Sequence, residues 1–200
     1  MLFIDSNQYL DLYAKPSLKA LLNMLTGVSK EIFVTSQIVD EVTRNKVAVA
    51  ENFFKALMMR KIDRGLPDQL FGDNVTKDLR SKLHAISDNI RMTNQDIENA
   101  AGDLLQQISQ SKDDVSIALD PIFNRAVDAS HSELDRARAR KERGRAPGKS
   151  GDSLGDQISW EQFLTSVKDS QWPQVWIISR DGDFFSRETV VLNAALHRDL

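Results

Sequence analysis

The chain has 200 residues, 41% hydrophobic and 28% charged, with a formal net charge of −3 and no cysteine. That profile suits a single domain over 1–200 and excludes disordered and fibrous classes, disulfide scaffolds, thiolate metal sites and cysteine nucleophiles. The weak net charge means that an anionic partner must be met by a local patch. Apolar runs such as 175–178 are too short to cross a bilayer, and the first residues lack the flank and core of a signal peptide, so the expectation is a cytoplasmic protein with no membrane contact.

In chain order, "LFI" at 2–4 reads as a short buried strand that runs into Asp5, Ser6 and Asn7. Residues 10–25 follow with a helical stripe of Leu18, Leu21, Leu22 and Leu25, and Gly27 as its stop. "EIFVT" at 31–35 is a second strand, and Ile38, Val39 and Val42 start a helix carrying Glu41. Apolar residues at helical spacing then mark 47–62, 75–90, 97–108 and 115–140. A helix over 154–167 leads to a third strand, "VWIIS" at 175–179, and to the turn-like Arg180-Asp181-Gly182-Asp183. Residues 189–193 offer one more short strand, and the last seven residues a helix start. Strands separated by helices predict an α/β fold of three layers, α/β/α, with a parallel sheet, interrupted by a mainly helical insertion over 45–145.

Four carboxylates stand out, each with a plain alternative. Asp5 has the position of a helix N-cap, and Glu41 that of a solvated helix residue. Asp156 follows Ser153 at capping-box spacing, and Asp181 with Asp183 suits an ordinary turn. Yet Asp5 and Asp181 each follow an apolar strand, and parallel strands share one carboxyl-terminal edge, where open α/β folds place their sites. Glu41 lies a turn or two beyond the end of the second strand, and Asp156 opens a helix whose dipole favours negative charge. Two such charges ~5 Å apart repel by roughly 3 kcal/mol at an effective dielectric of about 20. A cation held between them relieves this, and an oxygen-only set selects Mg²⁺ or Mn²⁺ over zinc.

"FIDSN", "TSQIVDEV", "GDQISW" and "IISRDGDF" together resemble the four acidic motifs of the PIN domain, a nuclease fold. Gly-Asp-x-x-x-Trp preceded by "PGKSGDS" resembles a group of larger PIN-like proteins with long insertions. The resemblance implies a metal-dependent endoribonuclease that hydrolyses RNA, expected to be single-stranded, to 5′-phosphate and 3′-hydroxyl ends. It implies Asp5 and Asp156 as direct metal ligands, with Glu41 and Asp181 completing the catalytic cluster and Asp183 in reserve for Asp181. Asn7 and Ser179 are expected to orient these carboxylates. Asp40 is a weaker rival to Glu41, aimed about 100° away on the helix. Small toxin members of the family have antitoxin partners, but the long insertion departs from their pattern.

"RARARKERGRAPGKSGDS" sets Arg136, Arg138, Arg140, Lys141, Arg143, Arg145 and Lys149 against Glu142 alone among its first fourteen residues. A solvated helix end explains it; so does phosphate binding, the favoured reading because the run leads towards Asp156. Its glycines sit one residue too close for a P-loop, and no strand precedes it. His84, His131 and His197 form no triad, and Trp160, Trp172 and Trp176 read as packing residues. Two other function classes compete. A haloacid-dehalogenase-like phosphatase wants a second Asp where Asn7 stands, and a binding scaffold has no use for clustered like charges.

Overall fold

A computed structural model describes residues 1–58, 73–148, 154–170, 172–186, 188 and 191–200. Three parallel strands, β1 (Leu2–Ile4), β2 (Ile32–Phe33) and β3 (Trp176–Ile178), form the sheet in the order β2-β1-β3. Leu2 and Phe3 pair with Ile32 and Phe33 on one side and with Trp176 and Ile177 on the other. Val127 bridges Thr35 in parallel, so the chain adds a fourth extended segment beyond β2. The remainder is helical: α1 (Ser6–Asp11), α2 (Lys19–Gly27), α3 (Ser36–Leu57), α4 (Asp73–Ser109), α5 (Asp114–Phe123), α6 (His131–Glu142), α7 (Gly155–Asp169) and α8 (Ala194–Asp199).

Local chemistry sets these boundaries. The Thr35 hydroxyl accepts the amide of Ile38 and starts α3, which then buries Ile38, Val42, Lys46 and Ala50 at intervals of four. The Asp113 carboxylate caps α5 in the same manner. Ser130 and Glu133 form a reciprocal capping box at the start of α6. Aromatic side chains join the layers: Phe163 of α7 stacks against Phe3 of β1 at 5.0 Å and against Trp160 at 5.1 Å between centroids. Trp160, Tyr9, Leu119, Ile122 and Leu196 are fully buried around them.

Several sequence expectations need correction. Residues 10–25 are not one helix; a 3-10 turn at Pro16–Leu18 separates α1 from α2, because proline has no amide to donate. The two helices expected at 75–90 and 97–108 are one, α4. The single helix expected over 115–140 is two, parted where Arg125 donates to the carbonyls of Ser29, Lys30 and Ile32, and where Val127 exchanges backbone hydrogen bonds with Val34 and Ser36. Within 45–145, then, α5, Val127 and α6 belong to the core, since Leu119, Ile122 and Ala137 are fully buried. Of 189–193, residues 189 and 190 lie outside the described residues, and Leu192 forms an isolated antiparallel bridge to Phe185. Among the tryptophans, Trp160 packs in the core, whereas Trp172 and Trp176 are exposed; β3 has its outer side chains in solvent. No helix of the described residues is long and apolar enough to cross a membrane.

Candidate active site

Because the strands are parallel, Asp5, Thr35 and Ser179 leave the sheet at the same edge. The amide of Asp5 donates to the Ile178 carbonyl at 2.9 Å, which locks the first strand end to the third. Asp5 does occupy the N-cap position of α1, with extended backbone, but its carboxylate caps nothing. Instead Oδ2 accepts from the Ser179 hydroxyl at 2.8 Å and Oδ1 from the Ser6 hydroxyl at 3.3 Å. The residue is 8% exposed. The Asp5 carboxylate is thus buried and held by two hydroxyls, one from the first residue of α1 and one from the end of the third strand.

The electrostatics agree. Burial pushes the Asp5 carboxyl above its ordinary value of 3.8; Ser179 and Ser6 pull it part of the way back, and the charge of Asp181 adds to the rise. Glu41 is also raised by burial, opposed by the Ser6 hydroxyl and Arg44 and reinforced by the charge of Asp5. Ser6 thus stands between Asp5 and Glu41, and three of the four expected carboxylates share one field.

The turn after β3 is fixed by hydrogen bonds to its own side chains. The Ser179 hydroxyl that donates to Asp5 also accepts the amide of Asp181 at 3.0 Å, and Asp181 Oδ1 accepts the amide of Asp183 at 3.1 Å. Asp183 Oδ2 is buried without a hydrogen-bond partner among the described residues. Arg180 closes on Asp11 of α1 at 2.6 Å, pinning this turn beside the helix that Asp5 begins.

Asp156 is half-buried in the first turn of α7, whose N-cap is Leu154 with no side-chain cap. Ser153, the expected capping partner, lies outside the described residues. Ser159 on the next turn bonds Thr35 at 3.0 Å, and a Cβ on Gly155 would stand 2.5 Å from Gln37 Nε2. Gln37 and Glu41 are four apart on α3 and so share a face. Gly155 therefore lets α7 bring its N-terminus against the Glu41 side of α3. Asp40 is exposed on α3.

Other expected residues fall elsewhere. Asn7 is exposed and makes no side-chain hydrogen bond among the described residues; Ser6, not singled out from the sequence, reaches Asp5. Arg140 is 7% exposed, and its guanidinium clamps Glu161 and Asp199, both at 2.7 Å, and the Ala146 carbonyl. Arg136 bonds Glu161 and Thr165, and Arg138 pairs with Asp135. Lys141 is half-buried, while Arg143 and Arg145 are exposed; Lys149 lies outside the described residues. Sequence reading also missed Asp128, which follows Val127 and accepts the Ser36 hydroxyl. Its signal was present: in "AVDAS" an apolar residue runs straight into Asp128, as Ile4 runs into Asp5 in "FIDSN".

A family model described as the PIN domain matches residues 2–184. The chain belongs to the PIN-domain family. Members of this family are generally nucleases, and the match covers all four acidic positions and the two strand ends that carry Asp5 and Asp181. No match was found among curated proteins or among solved structures.

The donor set suits a hard divalent ion: oxygen ligands only, two of them desolvated, and an unpartnered buried oxygen on Asp183. Among the described residues no three acidic or histidine side chains stand close enough to share an ion as they are placed. Fewer protein ligands than that suffice for a hard divalent ion, which keeps several of its waters.

Proposed function

We propose that this PIN domain, built as a three-layer α/β/α frame, is a cytoplasmic, divalent-metal-dependent endoribonuclease. It hydrolyses phosphodiester bonds of single-stranded RNA to 5′-phosphate and 3′-hydroxyl ends. The observation that carries the reading is Asp5: buried, non-capping, and facing the charge of Asp181 and Glu41. Mg²⁺ or Mn²⁺, when bound, supplies Lewis acidity and a lowered pKa for water. Asp5 and Asp156 are the proposed direct ligands, and Glu41 and Asp181, with Asp183, complete the set. Ser179 orients Asp5 while fixing the turn that carries Asp181, so one hydroxyl sets the relative position of two carboxylates.

The test is cleavage of a single-stranded RNA in Mn²⁺ by the wild type and by Asp5→Asn. The reading requires cleavage that EDTA stops and that the variant loses by at least ~100-fold, the scale set by losing transition-state charge stabilisation. A second reading, an RNA- or protein-binding PIN scaffold, has one observation in its favour, the open spacing of the carboxylates. RNA binding indifferent to EDTA, with no cleavage, selects it.

A further inference from the structure

Between α6 and α7 lies a cavity of about 270 Å³ lined by Arg136, Arg140, Arg143, Arg145, Lys168 and Asp199, with Glu161 beside Arg140. Five cations thus face two carboxylates. The carboxylates are already satisfied: Arg140 holds both, and Arg136 holds Glu161 a second time. Arg143, Arg145 and Lys168 are exposed and make no side-chain ion pair or hydrogen bond among the described residues. The cleft therefore has a rigid, neutral floor and three uncommitted positive charges on its rim. Such a rim attracts an anion and leaves the floor's geometry unchanged when it binds.

The cleft also has a direction. Arg136 meets Glu161 and Thr165, Arg140 meets Glu161, and Gly148 abuts Gln157, so α6 and the chain after it run antiparallel to α7, towards Asp156. Lys168 lies twelve residues beyond Asp156 on α7, about 18 Å at 1.5 Å per residue. A stacked strand rises about 3.4 Å per phosphate, so roughly five phosphates cover that length.

From this arrangement we infer that the α6–α7 cleft is a binding groove for the backbone of the RNA strand, several nucleotides away from the scissile bond, with Arg143, Arg145 and Lys168 as its phosphate contacts. This rests on the RNA reading of the acidic site, adds Lys168 to the expected cations, and leaves Arg140 as the buried support of the groove.

The test is binding of a fluorescent twelve-nucleotide single-stranded RNA in EDTA, by anisotropy, from 50 to 300 mM KCl. For single strands each neutralised phosphate contributes about 0.7 to the slope of log K against log[salt]. The combined variant Arg143→Gln, Arg145→Gln, Lys168→Gln should lower that slope by about 2 and weaken binding at least tenfold at 100 mM. Lys168→Gln alone, a solvent-exposed change, should lower it by about 0.7 even if the triple variant folds poorly. An unchanged slope in Lys168→Gln overturns the inference, as does a wild type that binds an acidic peptide but no RNA. Mn²⁺-dependent cleavage measured in parallel separates the two claims. Cleavage with an unchanged slope removes the groove alone, and a lowered slope without cleavage removes the nuclease alone.

Discussion

Replacing Asp5 with Asn in metal-free protein should stabilise the fold, against the usual expectation for a buried polar residue. The carboxylate is desolvated and faces Asp181 and Glu41. A like charge ~5 Å away costs up to about 3 kcal/mol at an effective dielectric near 20, and the half-exposed partners reduce this through solvent screening. Asn keeps an acceptor for Ser179 but offers an amide to Ser6, a loss of about 1 kcal/mol. The net gain is on the order of 1 kcal/mol, or about 2–4 °C in Tm for a chain of this size. Its pH dependence has a defined sign. Asp5 titrates higher folded than unfolded, so the native state holds the proton more tightly, and wild-type stability falls as pH rises from 3.8 through the folded value. The advantage of Asp5→Asn should therefore be absent below 3.8 and open fully above the folded value. Calorimetry in EDTA across pH 4 to 8 reads it. A variant equal to or less stable than wild type throughout refutes the idea that this carboxylate sits in an unfavourable field.

Other outcomes follow from the same contacts. Ser179→Ala should weaken Mn²⁺ binding by about 10–100-fold, read by titration calorimetry, because it frees both Asp5 and the Asp181 turn. Arg140→Met should cost about 3–5 kcal/mol in urea unfolding, since it leaves Glu161 and Asp199 without their shared partner, whereas the exposed Arg143→Gln should change stability by less than about 0.5 kcal/mol. Gly148→Ala should destabilise by at least about 1 kcal/mol in the same assay, because φ is +86° and the new Cβ would stand 2.2 Å from the buried Gln157 side chain. Mn²⁺ affinity should rise with pH through the folded values of Asp5 and Glu41, both held above the ordinary range by burial, because the ligating form must lose its proton.

The strands that carry the site were legible because each is a short apolar run ended by polar residues, and period and punctuation agree there. "FIDSN" even located Asp5, although sequence could not distinguish a cap from a ligand. The direction of that side chain was not legible, because it is held by Ser179, 174 residues away. The failure at 115–140 has a different cause. Helical spacing in α5, which tolerates Pro121, ran on through Val127 with no proline or glycine between the end of α5 and the start of α6, and tertiary pairing with β2 overrode the local pattern. Ser130-His131-Ser132-Glu133 was the available warning, a capping signature in the middle of the expected helix. The basic run was legible only in part: composition shows charge, but not that Arg140 is consumed by Glu161 and Asp199 while Lys168, from another helix, joins the rim.

Anomalous diffraction from a crystal soaked in Mn²⁺ tests the central claim most directly. The account predicts a manganese peak bonded to Asp5 and Asp156, with Asp181 or Glu41 completing its shell. A fully soaked crystal with no peak at this sheet edge, or with manganese held only by other carboxylates, contradicts it.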